Sequence, residues 1–586
     1  MINELINYLE LEKKFIDEDI ELLKILPKSE LVRKGLVILN CKIQNITRNE
    51  VTFQCEENNS KFKAGDSVYI EFENTSLLAK VIENSLDKID VLIPPKINLD
   101  TKTLYSISFQ KTNLLEPIIS ALKLIRPGMP GYFFYETIFG IREPIHSLYE
   151  ADYKINSENL ISTDLSSLDE SQIEIIESCL KKPSLLAIQG PPGTGKTKIL
   201  SIVANELSNN NLRVAILAPT HKAVNNCLNE IAENFENVEL IKIGEELKSE
   251  EIKGNKIKTL NYYAFKKRLK EKKLTKNIII GMTYYSAVIN MGLRPDSFAP
   301  NVILIDEAAQ IPLAYGIVAG LFGAGSIILF GDDAQMPPIF HEKLKSHVLS
   351  KSLFNQIRIS SPSIIKPLKI TYRLNNSICK IIGQLYYKEN DESVFLLSSS
   401  VSKNNKLQLD TSLIKDNKLK TILDPNHSLI FISNDSEIKC FESNEIEADF
   451  IVKIIIELFS CGFKSKDIAV ITPFRKQSII IQSKLKNLIP DLEEYPIIDT
   501  VEKVQGVSVE IVIVSYASND RYAILRMSDF LFSPNRLNVS ISRARSKVIM
   551  FASKYMMEIE KELETKNQFE YIYSHSKKFN LNGISE

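Results

Sequence analysis

Leu185-Leu186-Ala187-Ile188-Gln189-Gly190-Pro191-Pro192-Gly193-Thr194-Gly195-Lys196-Thr197 is the stretch that decides the fold. Leu185 to Ile188 read as a short strand buried on both faces, and a helical segment follows the loop. The glycine-rich loop between them has the spacing of a phosphate-binding loop in its strand, loop and helix setting. Its glycines let the backbone wrap an anion so that N–H groups point inward. Lys196 would meet the β- and γ-phosphates of a nucleotide, and the Thr197 hydroxyl would ligate Mg²⁺. Gly190, Pro191, Pro192, Gly193, Thr194, Gly195, Lys196 and Thr197 are therefore the expected ATP-binding set, with Mg²⁺ as the second cofactor.

The same pattern recurs downstream. Val214 to Leu217, Val302 to Ile305 and Ile327 to Phe330 are short and nearly all apolar, which predicts a parallel sheet. Asp306-Glu307-Ala308-Ala309-Gln310 follows the second of these runs. Asp306 at that strand end can hold Mg²⁺, and Glu307 can orient or deprotonate an attacking water. Gly331-Asp332-Asp333-Ala334-Gln335 follows the third, where Gln335 could sense a γ-phosphate. Ser428 to Ile432, Ile468 to Ile471, Ile511 to Ser515 and Val548 to Ala552 predict a second α/β unit. Upstream, Leu5, Leu9, Ile16 and Ile20 make a helical stripe, and five short β-type runs between Leu36 and Ile93 predict a small barrel. Leu114, Leu115, Ile118, Ile119 and Leu122 restore helical spacing, and a polar stretch at 156–167 reads as a linker.

A chain of 586 residues, at roughly 150 per domain, is long enough for three or four such units. With 44% hydrophobic and 25% charged residues it is not a disordered chain, a collagen-like fibre or a coiled-coil rod. Lys+Arg 72 against Asp+Glu 73 leaves a formal charge of -1, so any nucleic acid must be held by local basic surfaces. The seven cysteines are scattered and never form C-x-x-C, which favours a reducing compartment over a disulfide or zinc framework. Met1 leads into charged residues without an apolar core, so no leader is expected. The uncharged run Ile311 to Gly331 has the length of a membrane span, but four interior glycines make it read as a buried helix and strand. A cytoplasmic location is expected, with a nuclear one left open.

In this order the motifs resemble those of the superfamily 1B helicases, typified by the nonsense-mediated-decay helicase, senataxin and the immunoglobulin μ-binding helicase. The resemblance spans roughly residues 168 to 555. It implies an α/β fold of two tandem RecA-like P-loop domains preceded by a helical stalk and a small β-barrel accessory domain. The expected divisions are a stalk at 1–30, the barrel at 31–112, and a returning helix and linker at 113–165. The first RecA-like domain follows at 166–360 with a basic insertion at about 245–276, then the second at 361–560 and a charged tail at 561–586.

The resemblance also implies roles. Leu168-Asp169-Glu170-Ser171-Gln172 is similar to the segment that reads adenine, through Gln172, although its spacing is equally that of a capping box. Ala218 to Asn225 and Gly281-Met282-Thr283 look like loops that touch a nucleic-acid backbone, through Pro219, Thr220, Asn225 and Thr283. Thr371-Tyr372-Arg373 resembles the segment whose Tyr stacks on adenine and whose Arg reaches the γ-phosphate. Asp499-Thr500-Val501-Glu502-Lys503-Val504-Gln505-Gly506 matches the motif linking nucleotide to nucleic acid, with Thr500 on the strand. Arg536 to Arg545 matches the last motif, whose arginine finger would be Arg543. The implied catalytic set is Lys196, Glu307, Gln335, Arg373 and Arg543. One position departs: where the family places Glu two residues after Gln-Gly, to contact ribose, this chain has Ser508.

The implied activity is that of an ATP-dependent helicase or translocase moving 5′-to-3′ on single-stranded DNA or RNA, as a monomer and without a membrane. The alternative is a nucleic-acid-stimulated ATPase that remodels protein–nucleic acid complexes without processive unwinding. Lys266-Lys267-Arg268-Leu269-Lys270-Glu271-Lys272-Lys273 keeps three readings: a nuclear signal, a solvated helix face or a nucleic-acid rail.

Overall fold

A computed structural model describes the chain apart from residues 57, 73–74, 86, 96, 98, 110–114, 130, 147–167, 237, 245–251, 255, 272–276, 292–298, 390–392, 436, 566 and 582–586. The expected linker at 156–167 lies outside the described residues. Six antiparallel strands close into a barrel in the order Val37–Thr47, Glu50–Gln54, Lys88–Leu92, Thr75–Asn84, Ser67–Phe72 and Tyr105–Phe109. The sixth strand is additional to the five expected runs. Tyr105 and Ile107 enter the barrel core while Ser108 faces out to Glu71, so its period of two is written in only five residues.

The first α/β unit is an eight-stranded parallel sheet. From edge to edge its strands are Ile257–Leu260, Glu239–Ile243, Ile278–Thr283, Val214–Ala218, Val302–Ile305, Ser326–Gly331, Leu185–Gln189 and Ile365–Pro367. Leu260, Ile243, Met282, Leu217, Ile305, Leu329 and Ala187 form one row across it. The loops that follow these strands therefore emerge along a single rim. The strand Ile365–Pro367 carries this sheet past the expected division at 360.

Ile311 to Gly331 is buried as the helix Leu313–Gly316, the 3₁₀ turns Ile317–Phe322 and the strand Ser326–Gly331. Among the described residues no helix is long and apolar enough to cross a membrane. The helix Ile2–Ile25 turns Leu5, Tyr8 and Leu9 into the same core as Ile118, Ile119, Ile303 and Leu329, and the Tyr8 hydroxyl lies 2.9 Å from that of Ser350. It packs on the first α/β unit rather than standing away from it as a separate stalk.

The second sheet has six parallel strands in the order Ile497–Thr500, Ile468–Thr472, Val509–Ser515, Ala544–Ala552, Leu429–Ser433 and Lys577–Asn580. Its last strand corrects the expected charged tail at 561–586. Among those charges Phe569, Ile572 and Phe579 are buried in the unit, and the Glu560 carboxylate accepts from Phe569 N at 2.8 Å to start the helix Gln568–Ser574.

Gly320, within the 3₁₀ turns, fits against the helix Tyr132–Ile138 because neither it nor Gly131 has a side chain. A Cβ on Gly320 would lie 2.7 Å from Gly131 Cα and 3.0 Å from Phe134 Cβ. Gly320→Ala should therefore push this helix off the first unit and cost about 1–3 kcal/mol. A thermal midpoint unchanged from that of the parent chain would refute this packing.

Candidate active site

The loop after Leu185–Gln189 is held from both units. Gly195, at φ 83, turns the chain into the helix Lys196–Asn209, and the Lys196 ammonium donates to the Gly190 carbonyl. From the second half of the chain, Thr371 Oγ1 donates to Pro192 O at 2.7 Å and Tyr372 N donates to Gly193 O at 2.8 Å. Gly193 has φ +74, and a Cβ there would meet Arg373 Cβ at 2.4 Å. Only glycine permits that approach.

Gln172 is buried behind this loop. Its Nε2 donates to Thr194 O at 3.0 Å and its Oε1 accepts from Asp169 N at 3.2 Å, completing a capping box on the helix Glu170–Leu180. Both ends of the amide thus serve the cap and the loop. The Tyr372 ring is 41% exposed at the mouth of the cleft, and its hydroxyl donates to Asp169 at 2.8 Å.

Asp306 and Glu307 leave the strand Val302–Ile305 in different environments. Asp306 is buried, with Oδ1 accepting from Glu307 N at 2.9 Å and Oδ2 accepting from the Cys227 thiol at 3.3 Å. Burial, and then the neighbouring Glu307 charge, push its carboxyl up to about 6 against the pull of Lys196. Glu307 holds φ 52, a left-handed conformation that costs a non-glycine residue on the order of 1–3 kcal/mol. Its carboxylate accepts from Gln310 at 3.2 Å and, across the cleft, from Gln505 at 3.4 Å. Gln505 lies in a motif whose only expected site residue was Thr500.

The second unit contributes cations. Arg373 is brought down to about 9 by burial, then by the charges of Arg543 and Arg545. Arg543 is brought down to about 10 by burial, opposed by the acidic charges of Glu307 and Asp332 and by Tyr387. These groups face a cleft of ≈ 1120 Å³ that also takes in Thr197, Gln335, Thr220, Asn225 and the barrel turn at Lys63, Ala64 and Asp66. Gly190 and Gln172 back the loop, and Pro219, Thr283 and Thr500 lie outside the cleft lining. The Thr220 and Thr283 hydroxyls accept from Ala223 N at 3.2 Å and Ser286 N at 3.1 Å, so each caps the helix that follows it.

A second contact between the units is buried beside Gln335. Asp332 Oδ2 accepts at 2.6 Å from both Gln335 Nε2 and the Tyr387 hydroxyl. That hydroxyl accepts in turn from Asn538 at 2.9 Å, and Asn538 also donates to Ala334 O at 2.8 Å. Tyr387 had no signal in the sequence. Asn538 stood inside the last motif, but only Arg543 was singled out there.

Residues 167–284 and 349–555 match two family models, each described as an AAA domain. The DNA replication ATP-dependent helicase/nuclease JHS1 of Arabidopsis thaliana is 28% identical over 399 residues, covering 66% of this chain and 28% of the plant protein. The DNA replication ATP-dependent helicase/nuclease DNA2 of Homo sapiens is 25% identical over 573 residues, covering 90% of this chain and 52% of the human protein. This chain therefore spans about half of the human relative's length and less of the plant one. An arterivirus nonstructural protein 10 helicase aligns over 89% of this chain and 80% of its own, at 11% identity and a TM-score of 0.39. The sequence matches support superfamily 1 helicases as the class. Within it they point to the DNA2 type, not to the nonsense-mediated-decay, senataxin and immunoglobulin μ-binding group.

Tyr387→Phe removes one hydroxyl that is both donor and acceptor in a dry contact. It leaves buried Asp332 one donor short, and the unfolding free energy should fall by about 1–3 kcal/mol. Denaturant titration of both chains measures the difference, and equal stabilities would mean that the contact is not made in solution.

Proposed function

We propose that this chain is an ATP-dependent nucleic-acid helicase or translocase that hydrolyses ATP between its two α/β units. One observation carries the reading. Lys196, Asp306 and Glu307 of one unit and Arg373 and Arg543 of the other line the same cleft.

The proposed roles follow from that geometry. Lys196 and the loop N–H groups hold the phosphates, with Tyr372 against the base and Gln172 behind the loop. Glu307 orients the attacking water. Gln335 sits where loss of the γ-phosphate would be felt. Arg373 and Arg543 add charge to the transferring group only when the two units close, and an arginine finger is worth about 10³–10⁵ in rate. Asp306 and Thr197 suit Mg²⁺, because a buried carboxylate and a nearby hydroxyl leave the remaining positions to water and phosphate. When bound, the ion would neutralise charge building on the phosphates.

Closure and opening on a bound strand would drive steps along it. The 5′-to-3′ direction comes from the family resemblance. DNA is the first substrate to test, because the relatives are named for DNA replication. Pro219, Thr220 and Thr283 at the rim of the first sheet, Asn225 in the helix after it and Thr500 at a strand end of the second sheet are the proposed strand contacts. We place the protein in a reducing, intracellular setting as a monomer, in which the Cys227 thiol keeps its bond to Asp306.

Single-stranded nucleic acid should raise ATP turnover by ordering the closed form. A rate indifferent to saturating single strands would sink the motor reading and favour a remodelling ATPase. Unwinding of 5′- against 3′-tailed duplexes then tests the direction. Glu307→Gln should bind ATP nearly normally but hydrolyse it at least about 10²-fold more slowly. Turnover within threefold of the parent would show that Glu307 is not the catalytic carboxylate.

Asp306 supplies a pH test. Its folded value is raised to about 6, so the ionised form that takes Mg²⁺ is lost as pH falls through 6. Below that point, half-saturating Mg²⁺ should rise about tenfold per pH unit. A flat Mg²⁺ requirement between pH 5 and 7 would refute a raised Asp306 carboxyl as the group that Mg²⁺ displaces a proton from.

A further inference from the structure

The helix Tyr262–Lys270 carries the described part of the basic stretch. It is anchored on one side by Phe265, which is fully buried, and by Tyr262 and Leu269, half-buried against the core of the first unit. Arg268 is tied down to Glu239 at 3.0 Å. The opposite side is different. Tyr263 is 81% exposed, a large aromatic ring in water, and Lys267 and Lys270 are exposed beside it with Lys266 half-buried. Residues three, four and seven positions apart share a helix face, so these four side chains form one stripe. Among the described residues none of the three lysines makes an ion pair.

The sheet register fixes where the stripe begins. Leu260, at the end of the edge strand, lies in the same row as Met282, two strands away. Tyr263 therefore starts close to the rim that carries Thr283, and beyond it Thr220. Two strand spacings are about 10 Å. The helix then runs away from that rim, and Lys270 lies about 10 Å further along its axis.

From this placement we propose that the exposed face of Tyr262–Lys270 is a binding site for single-stranded polynucleotide that continues the track beyond the rim. Tyr263 offers a stacking surface for one base, and Lys266, Lys267 and Lys270 take successive phosphates. A face with one exposed ring and three cations fits a strand with π-faced bases on an anionic backbone. An acidic peptide would complement the charges but gives the ring no partner. The inference rests on the motor reading above and deepens its substrate site.

The test uses the full chain with a labelled single strand, titrated across salt by fluorescence anisotropy, and DNA and RNA in separate arms. Lys266→Ala/Lys267→Ala/Lys270→Ala should reduce the slope of log affinity against log salt by about 2, at roughly 0.7 per lost phosphate contact. Tyr263→Ala should weaken binding about tenfold, while Tyr263→Phe, which keeps the stacking ring, should bind like the parent. Thermal midpoints equal to the parent's exclude unfolding as the cause. If the parent binds single strands but slope and affinity stay within twofold in every variant, the helix is a solvated face and the inference falls alone. If the parent itself neither binds single strands nor is stimulated by them, the motor reading falls and takes this site with it.

Discussion

The contact on which the rest depends is the clasp of Thr371 and Tyr372 on the phosphate loop. Two hydrogen bonds, to Pro192 O and Gly193 O, make a loop built by one unit into a surface of the other. Gly193 is its steric condition, since any side chain there would meet Arg373 before those bonds could form. A ligand seated in the loop must therefore be felt by both units. No long-range relay is needed to explain coupling between them, because the receiving element already touches the loop.

The Asp332, Tyr387 and Asn538 contact complements this clasp from the neighbouring strand end on the same rim. It is buried and joined by hydrogen bonds from both units, although Asn538 Oδ1 is left without a partner among the described residues. One strand further along the rim is the Gln505 bond to Glu307, the longest of these links at 3.4 Å. The departure at Ser508 is accommodated in the same neighbourhood. Ser508 accepts from Arg545 at 3.1 Å, and Glu510, two residues on, pairs with the same guanidinium at 3.4 Å. Both side chains reach the same guanidinium, so a carboxylate remains beside it although the expected position lacks one.

What the sequence reveals and what it hides divide along physical lines. Strands buried on both faces are runs of apolar residues, and a loop that wraps phosphate needs its glycines at fixed spacing, so four strands of each sheet and the loop can be read directly, while the strands toward the sheet edges are not. The sixth barrel strand is too short and too rich in Ser for its alternation to stand out. The C-terminal helix and strand are hidden because Phe569 and Ile572 of the one and Phe579 of the other are spaced among charged and polar residues. Gln172 presents a true ambiguity, since a capping box and a base contact need the same spacing, and the cap and the loop take up its amide here. Tyr387 could not have been found. A buried Tyr looks like any core aromatic until the fold brings Asp332 and Asn538 to its hydroxyl.

The electrostatics of the cleft give the closed arrangement its dependence on ligand charge. Arg543 is buried and Arg373 half-buried, and both hold their protons less firmly than a guanidinium in water. For Arg373 the causes after burial are Arg543 and Arg545, so the second unit's own cations repel one another. Asp306, opposite, is pushed the other way by burial and by Glu307. Each unit thus brings to the cleft charges that are costly to desolvate and only partly balanced across it. In the cycle proposed above, a polyanion lying between the cations, with a divalent cation beside the acids, would relieve both strains at once and favour closure. Loss of the anion's terminal group would reduce that relief. The free energy of opening would then depend on the charge of what occupies the cleft, which is the condition a nucleotide-driven cycle requires.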